Sequence, residues 1–169
     1  MRRKARESVA QAPPRLASKP MARQPRKFLG DGFFHAIARG VGKMVIFRER
    51  DDYVCFVGLL EAVLRRFPWK VYAYCLMPNH YHLVTETSRL DLSNGMHRLN
   101  GLYAQGFNHR YERPGHVFQN RFGARVIEGD DHLEGVSAYV LDNPVRAGLC
   151  ERAEDWPWSG GLHAWWLSA

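Results

Sequence analysis

The sequence of 169 residues predicts an α+β fold, in which an antiparallel sheet carries helices. Three observations lead to this prediction. Short segments rich in β-branched and aromatic residues alternate with longer segments whose apolar residues recur every three or four positions. A Pro-Asn pair at positions 78–79 separates two strand-like segments and indicates a hairpin. The hydrophobic fraction of 46% is sufficient to fill the core of one domain.

The first predicted elements are a strand and a helix. Residues 33–39 (FFHAIAR) favour a strand, and glycines after it mark a turn. A helix is expected from about Asp51 to Phe67, with Asp51 or Asp52 as its N-cap and Pro68 ending it. Its apolar face is expected to belong to the core and consists of Val54, Val57, Leu60, Leu64 and Phe67.

A strand hairpin and a second helix follow. Residues 69–77 (WKVYAYCLM) and 80–87 (HYHLVTET) have the composition of strands, and the short turn between them makes them antiparallel neighbours. The second helix is expected from residue 92 to about residue 111. Gly95 and Gly101 weaken that prediction because glycine disfavours a helix interior.

The last elements complete a recognisable order. A fourth strand is expected near residues 124–128. A third helix is expected to have Asp130 or Asp131 as its N-cap and to run to Asn143, where Pro144 would stop it. The order is therefore β-α-β-β-α-β-α. Its first six elements correspond to the ferredoxin-like βαββαβ arrangement, which RNA-recognition domains share. That arrangement places two helices on one face of the sheet and leaves the other face for a ligand or a further helix.

Charge separates a tail from a single domain. Residues 1–27 hold nine Lys or Arg residues and one acidic residue, whereas the rest of the chain holds 15 basic and 16 acidic residues. We therefore predict a disordered basic tail over residues 1–27 and one domain over residues 28–169. The tail is either a phosphate-seeking arm or a solvated extension, with Met21 as an alternative start.

Cysteine usage and hydropathy limit the setting of the protein. The three cysteines are far apart and form no C-x-x-C pair, so a disulfide framework is not expected. We therefore expect a cytoplasmic location, where thiols stay reduced. No apolar run is long enough for a membrane span. Four of the five tryptophans follow residue 151; Trp156 and Trp158 are expected to pack on the domain. Trp165 and Trp166 are left to pack, to stack on bases or to contact a partner.

The strongest local motif is His80-Tyr81-His82. Alternate residues of a strand point to the same face, so the two imidazoles converge while Tyr81 points away. Two neutral imidazoles at this spacing can begin a metal site, although paired strand histidines also occur without one. His35 stands alone on the first strand and is expected to be packed or hydrogen-bonded.

A second pair lies on the third predicted helix. Tyr139 and Asn143 are four residues apart and would share one helix face. An Asn carbonyl oxygen can complete an N,N,O ligand set for a hard divalent ion, and a tyrosine hydroxyl can attack phosphorus. The alternative is a helix-end asparagine and an ordinary amphipathic tyrosine. The residues alone leave both interpretations open.

Three ordered motifs resemble a known family. LMPNHYHLV, GHVFQNRF and YVLDNPVRAGL together resemble the single-tyrosine HUH transposases, and most of all their REP-associated branch, over about residues 33–159. The resemblance implies that His80, His82 and Asn143 bind Mg²⁺ or Mn²⁺ and that Tyr139 is catalytic. It implies cleavage of single-stranded DNA through a 5′-phosphotyrosine intermediate. Within these motifs Phe118 replaces the Trp usual in the family.

The implied partner is single-stranded DNA that forms a hairpin from a palindromic element. A membrane is not expected, and the protein would act as a monomer or a homodimer. The candidate DNA contacts are Arg39, Arg98, Asn108, Gln119 and Arg121. For Arg98 and Asn108 a surface ion pair or a clamp between helix and loop is an equal alternative.

Three other functions compete with this one. A domesticated protein would bind hairpin DNA without significant transposition. An RNA-recognition module would need an aromatic-rich segment on a central strand, and the nearest stretch, NRFGARVIE, lacks that pattern. A structural zinc protein would need a quartet of Cys and His ligands, which the sequence does not offer at suitable spacing.

Overall fold

A computed structural model describes residues 31–161. The predicted tail and residues 162–169, with Trp165 and Trp166, lie outside this range. The elements are β1 (Gly32–Arg39), α1 (Arg50–Leu64), β2 (Lys70–Met77), β3 (His80–Thr87), α2 (Arg89–Arg110), β4 (Gly123–Ile127), α3 (Asp130–Leu141), α4 (Asn143–Arg146) and β5 (Ser159–Gly160). No helix within residues 31–161 has the length and apolar content to span a membrane.

The strands form one antiparallel sheet in the order β4-β1-β3-β2-β5. Buried residues of α1 and α2 share one core cluster with β1, β2 and β3, whereas α3 shares a second cluster with β2, β3 and β4. The molecule therefore has three layers, with α1 and α2 on one face of the sheet and α3 on the other. The predicted ferredoxin-like α+β fold is confirmed, and a further helix covers part of the face that could have held a ligand.

Helix α1 begins one residue earlier than predicted and presents a different face. Its N-cap is Glu49, which forms a capping box with Asp52, so neither predicted aspartate is the cap. Tyr53 and Phe56 point into the core, while Val54 is 53% exposed. The apolar face assigned from the sequence was therefore wrong at its first position, because the true face begins one residue earlier.

Helix α2 begins three residues before the predicted start. Ser88 is the N-cap and accepts a hydrogen bond of 3.0 Å from the backbone N–H of Asp91. Gly95 has a packing reason to be in this helix: a Cβ atom there would lie 2.3 Å from Cζ2 of Trp69. At Gly101, by contrast, a Cβ atom would meet nothing within 4 Å.

The third helical region differs from the prediction at both ends. Gly129, with φ of 79°, precedes α3 as its N-cap in place of an aspartate, and α3 ends at Leu141. Pro144 does not stop a helix there; it occupies the first turn of α4, where its missing N–H costs no hydrogen bond. Tyr139 and Asn143 consequently lie on consecutive helices. Their spacing still brings them together, since Asn143 Nδ2 donates to the carbonyl oxygen of Tyr139 over 2.9 Å.

The segment after α4 returns to the sheet, as predicted for Trp156 and Trp158. The Trp158 ring stacks on Tyr53 with 4.6 Å between centroids and 18° between planes. Trp156 Nε1 donates a hydrogen bond of 3.1 Å to the backbone carbonyl of Leu76. These contacts fix the chain beside β2, where Ser159 of β5 pairs with Cys75 of β2.

Candidate active site

The two histidines of β3 face the α3 side of the sheet. Their ring centroids are 5.0 Å apart, and their planes are nearly perpendicular at 78°. His82 is 5% exposed, and His80 is partly exposed at the start of the strand. Tyr81 points to the opposite face and is buried in the other core cluster. The alternation of the strand therefore brings the two imidazoles together.

Both imidazoles have a hydrogen-bond partner at Nδ1. His80 Nδ1 lies 2.6 Å from Oδ1 of Asn79, and His82 Nδ1 lies 2.9 Å from Nε2 of His35. Because an amide oxygen can only accept, neutral His80 carries its hydrogen on Nδ1 and has its lone pair on Nε2. Nε2 is then the atom that can bind a metal ion.

The site keeps its histidines neutral. Burial lowers the pKa of His80 to about 4, with a further contribution from the positive charge of Arg39. Burial lowers the pKa of His82 to about 3, and His35, His80 and Arg39 add to the effect. The pKa of His35 is lowered to about 4, first by burial and then by Arg125. Metal ions require the neutral imidazole, which all three residues provide at neutral pH.

Tyr139 lies against His82 from the helix above. Packing of Leu133 and Val140 on the sheet fixes α3, and the Tyr139 ring then meets His82 edge to face, with centroids 6.3 Å apart. Tyr139 remains 43% exposed, so a ligand can reach its ring from solvent. The guanidinium carbon of Arg146 lies 5.0 Å from the centroid of the Tyr139 ring.

Arg146 was not among the residues selected from the sequence. It stands seven residues after Tyr139 in YVLDNPVRAGL, a spacing of about two helical turns. In a continuous helix that spacing places Arg146 on the same face as Tyr139, but the helix was expected to end before Pro144, so Arg146 was not considered. Because α4 continues the helical path, the guanidinium group reaches the tyrosine.

Asn143 offers an oxygen beside Tyr139. Its amide nitrogen donates to the carbonyl groups of Tyr139 and Val140, at 2.9 and 3.4 Å. The carbonyl oxygen is the atom left to serve as a ligand. Within residues 31–161 no group of three His, Cys, Asp or Glu side chains is placed to hold a metal ion, so a metal ion on the two histidines would need a ligand of another type. Imidazole nitrogens and amide oxygens are both donors that divalent cations accept.

Arg39 and Gln119 lie next to this site. Arg39 is opposite His80 in the pairing of β1 with β3, and its carbonyl oxygen accepts a hydrogen bond of 2.9 Å from Gln119 N–H. Both residues are exposed. Together they border a shallow pocket lined by Ile37, Ala38, Arg39, Gln119, Asn120, Phe122 and Gly123.

The loop that carries Arg121 is anchored on the α2 side of the sheet. Asn100 Nδ2 donates to the carbonyl oxygen of Arg121 over 2.9 Å, and Asn100 Oδ1 accepts from the Tyr81 hydroxyl over 2.6 Å. Arg121 is exposed. Asn100 is 8% exposed and was not selected from the sequence, because its partners are distant along the chain.

Arg98 and Asn108 are not brought to the histidine pair. Both belong to α2, which covers the opposite face of the sheet. Asn108 Nδ2 donates to the carbonyl oxygen of Gly115 over 2.7 Å, and this contact clamps the helix to the following loop. Arg98 is exposed. For Asn108 the structure contains the clamp that was the alternative to a DNA contact.

Comparisons with known proteins point in one direction. The family model described as transposase IS200 like matches residues 34–143. A curated protein of Haemophilus influenzae that is assigned to the REP-associated tyrosine transposases is 27% identical over 121 residues, which cover 64% of this chain and 68% of the relative. The solved structure of a REP-associated tyrosine transposase bound to a REP hairpin has a TM-score of 0.66 and 20% identity, covering 82% of each chain.

Proposed function

Since the chain belongs to the family of IS200-like transposases, we propose that it is a metal-dependent enzyme that cleaves and rejoins single-stranded DNA beside a hairpin. Transposases as a class process DNA. The observation that carries the proposal is the approach of Tyr139 to His82, at 6.3 Å between rings, with the tyrosine still open to solvent. The contact between these two rings supports a role for Tyr139 as a nucleophile beside a metal ion held by the histidines.

Tyr139 is the proposed nucleophile. Its hydroxyl oxygen loses a proton and attacks the scissile phosphorus, and the bond from phosphorus to the 3′ oxygen breaks. The departing oxygen takes up a proton and becomes a 3′-hydroxyl group, while the 5′ side of the break stays on Tyr139 as a phosphotyrosine. Because this product is still a phosphodiester, a second 3′-hydroxyl group can attack it and rejoin the strand without another energy source.

Three residues are proposed to hold Mg²⁺ or Mn²⁺. They are His80 and His82 through Nε2 and Asn143 through its carbonyl oxygen; the hydrogen bond of His80 Nδ1 to Asn79 and that of the Asn143 amide nitrogen to Tyr139 support the choice of these atoms. When bound there, such an ion neutralises phosphate charge and orients the scissile group. Arg146 adds a second positive charge against the ring of the nucleophile.

Hairpin DNA is the proposed substrate. A solved structure with the same fold was determined with a REP hairpin, and Arg39 lies opposite His80 on the face of the sheet that carries the histidines, which supports a DNA contact there. The other proposed contacts are Gln119, whose backbone N–H donates to the Arg39 carbonyl oxygen, and Arg121, which is exposed two residues further along the chain. Arg98 and Asn108 lie on the other layer, so we do not place them at this DNA surface.

A cleavage assay tests the proposal. The full chain is incubated with single-stranded oligonucleotides that contain the palindromes flanking its gene, labelled at the 5′ end to follow the released fragment and, in a parallel sample, at the 3′ end to follow the fragment that stays on the protein. We expect cleavage with Mg²⁺ or Mn²⁺, none with EDTA, and a downstream fragment attached to protein. His80→Ala should lose cleavage and keep hairpin binding, whereas His97→Ala, at an exposed position of α2, should retain both. Hairpin binding without cleavage of any flanking palindrome would contradict the enzymatic proposal and favour a domesticated binder.

A further inference from the structure

His35 and His82 form a hydrogen-bonded pair across the central strands. In the register of β1 with β3, His35 is opposite Val84 and His82 is opposite Ile37, so the two histidines are diagonal neighbours on one face. His35 Nε2 lies 2.9 Å from His82 Nδ1. Their ring centroids are 5.1 Å apart and the planes differ by 26°, which is the edge-to-edge arrangement of an in-plane N–H···N bond.

The direction of this hydrogen bond decides whether His82 can bind a metal ion. A bond between two neutral imidazoles contains one hydrogen atom, so one ring donates and the other accepts. If His35 donated, His82 would carry its own hydrogen on Nε2 and that nitrogen would have no lone pair to offer. If His82 donates from Nδ1, its Nε2 is free to bind a metal.

We infer that His35 is a positioning residue, which accepts the Nδ1 hydrogen of His82 and thereby holds His82 Nε2 in the metal-binding form. The inference rests on the metal site of the proposed function and assigns a role to a third histidine. Asn79 gives His80 the same support through its amide oxygen, at 2.6 Å. His80 and His82 then each have an acceptor at Nδ1: Asn79 of the turn for His80, and His35 of β1 for His82.

Because both rings are buried, His82 depends on His35 as the acceptor for its Nδ1 hydrogen. His35 is 9% exposed and His82 is 5% exposed, so water has little access to replace a missing acceptor. An unpartnered Nδ1–H in this place would carry a desolvation cost, and the imidazole would be free to change tautomer or rotate. Loss of such an outer partner typically weakens metal binding by about 10- to 100-fold.

The first measurement concerns the tautomer and requires no variant. Long-range ¹H–¹⁵N correlation spectra of the metal-free, DNA-free full chain report which nitrogen of each histidine carries hydrogen. We expect the hydrogen of His82 on Nδ1 and that of His35 also on its own Nδ1. A hydrogen on Nε2 of His82 would overturn the inference whether or not the protein cleaves DNA.

The second measurement is Mn²⁺ affinity, followed by electron paramagnetic resonance in the absence of DNA. His35→Phe removes the acceptor but keeps an aromatic ring and should weaken Mn²⁺ binding by about 10- to 100-fold. His35→Gln can place its Oε1 near the lost Nε2 and should recover much of the affinity. His97→Phe, at an exposed histidine on α2, should bind as the wild type does.

The outcomes separate this inference from the proposed function. Equal Mn²⁺ affinity in His35→Phe and the wild type, or no rescue by a folded His35→Gln variant, would overturn the positioning role. Mn²⁺ binding without DNA cleavage would contradict only the enzymatic function. A wild-type protein that binds no Mn²⁺ would overturn both.

Discussion

Tyr81 donates a hydrogen bond of 2.6 Å to Oδ1 of Asn100, although it stands between the two histidines that face the other side of the sheet. Asn100 in turn donates a hydrogen bond from Nδ2 to the carbonyl oxygen of Arg121. One strand thus positions the histidine pair with alternate residues and anchors a proposed DNA-binding loop with the residue between them.

Removal of the Tyr81 hydroxyl group should destabilise the fold. Tyr81→Phe leaves the buried Oδ1 of Asn100 without its donor, and the free energy of unfolding should fall by about 1 to 3 kcal/mol. Urea denaturation measures the change. The matched variant Tyr139→Phe removes the hydroxyl group of a residue that is 43% exposed and should change stability by less than about 0.5 kcal/mol. Similar values for the two variants would contradict the anchoring role.

Two glycines of α2 should respond to alanine in opposite directions. Gly95→Ala would place a Cβ atom 2.3 Å from the Trp69 ring, and overpacking of this kind costs about 1 to 3 kcal/mol. At Gly101 the new methyl group meets nothing within 4 Å, so the better helix propensity of alanine should stabilise the protein by about 0.4 to 1 kcal/mol. Thermal or urea unfolding of the two variants checks the signs. Stabilisation by Gly95→Ala would show that Trp69 packs elsewhere.

Local sequence patterns predicted the strands better than the helix starts. Strand β3 has the predicted bounds because a two-residue period and a Pro-Asn turn specify both its faces and its beginning. The helix starts depend on side chains that act as caps. Glu49 is not a common N-cap residue, and the capping box it forms with Asp52 emerges only once the chain has turned. The apolar face of α1 was misplaced for the same reason.

The candidate site was predictable only in parts. A strand period is enough to put His80 and His82 on one face. The contact of Tyr139 with His82 depends on how α3 crosses the sheet, which no local pattern specifies; the family resemblance supplied that step. The bond between His35 and His82 depends on the register of two strands that are 47 residues apart at this contact. The period of a strand therefore predicts the face on which each histidine lies, whereas the register between the strands determines which histidines meet.

Stability should decrease as the solution becomes acidic. The pKa values of His35, His80 and His82 are lowered from 6.5 to about 4, about 4 and about 3, mainly by burial. Between pH 6.5 and about 4 the unfolded chain therefore binds more protons than the folded protein. In this range the free energy of unfolding decreases as the pH decreases, by at most about 1.4 kcal/mol per pH unit for each histidine.

Urea denaturation from pH 7.5 to 4.5 measures this slope. The His80→Gln variant lacks one of the three groups and should show a shallower decrease than the wild type. Parallel curves for the two proteins would contradict the lowered pKa of His80.

Two arginines should differ in their effect on DNA binding. Arg39 is opposite His80 on the proposed DNA side, whereas Arg98 is exposed on the helical layer behind the sheet. Arg39→Gln should weaken hairpin binding and lower the salt slope by about one phosphate contact. Arg98→Gln makes the same charge change and should leave both quantities unchanged. Fluorescence anisotropy at several salt concentrations provides the comparison, and a larger loss with Arg98→Gln would place the DNA on the other face.

The covalent intermediate tests the central claim most directly. The full chain is incubated with Mn²⁺ and a single-stranded oligonucleotide that carries a flanking palindrome, then denatured in SDS, digested and examined by mass spectrometry. We predict a nucleotide adduct on Tyr139 that is absent from a folded, hairpin-binding Tyr139→Phe protein, since only the nucleophilic oxygen has been removed. An adduct on Tyr81, Tyr103 or Tyr111, or an undiminished adduct in Tyr139→Phe, would contradict the assignment of Tyr139 as the nucleophile.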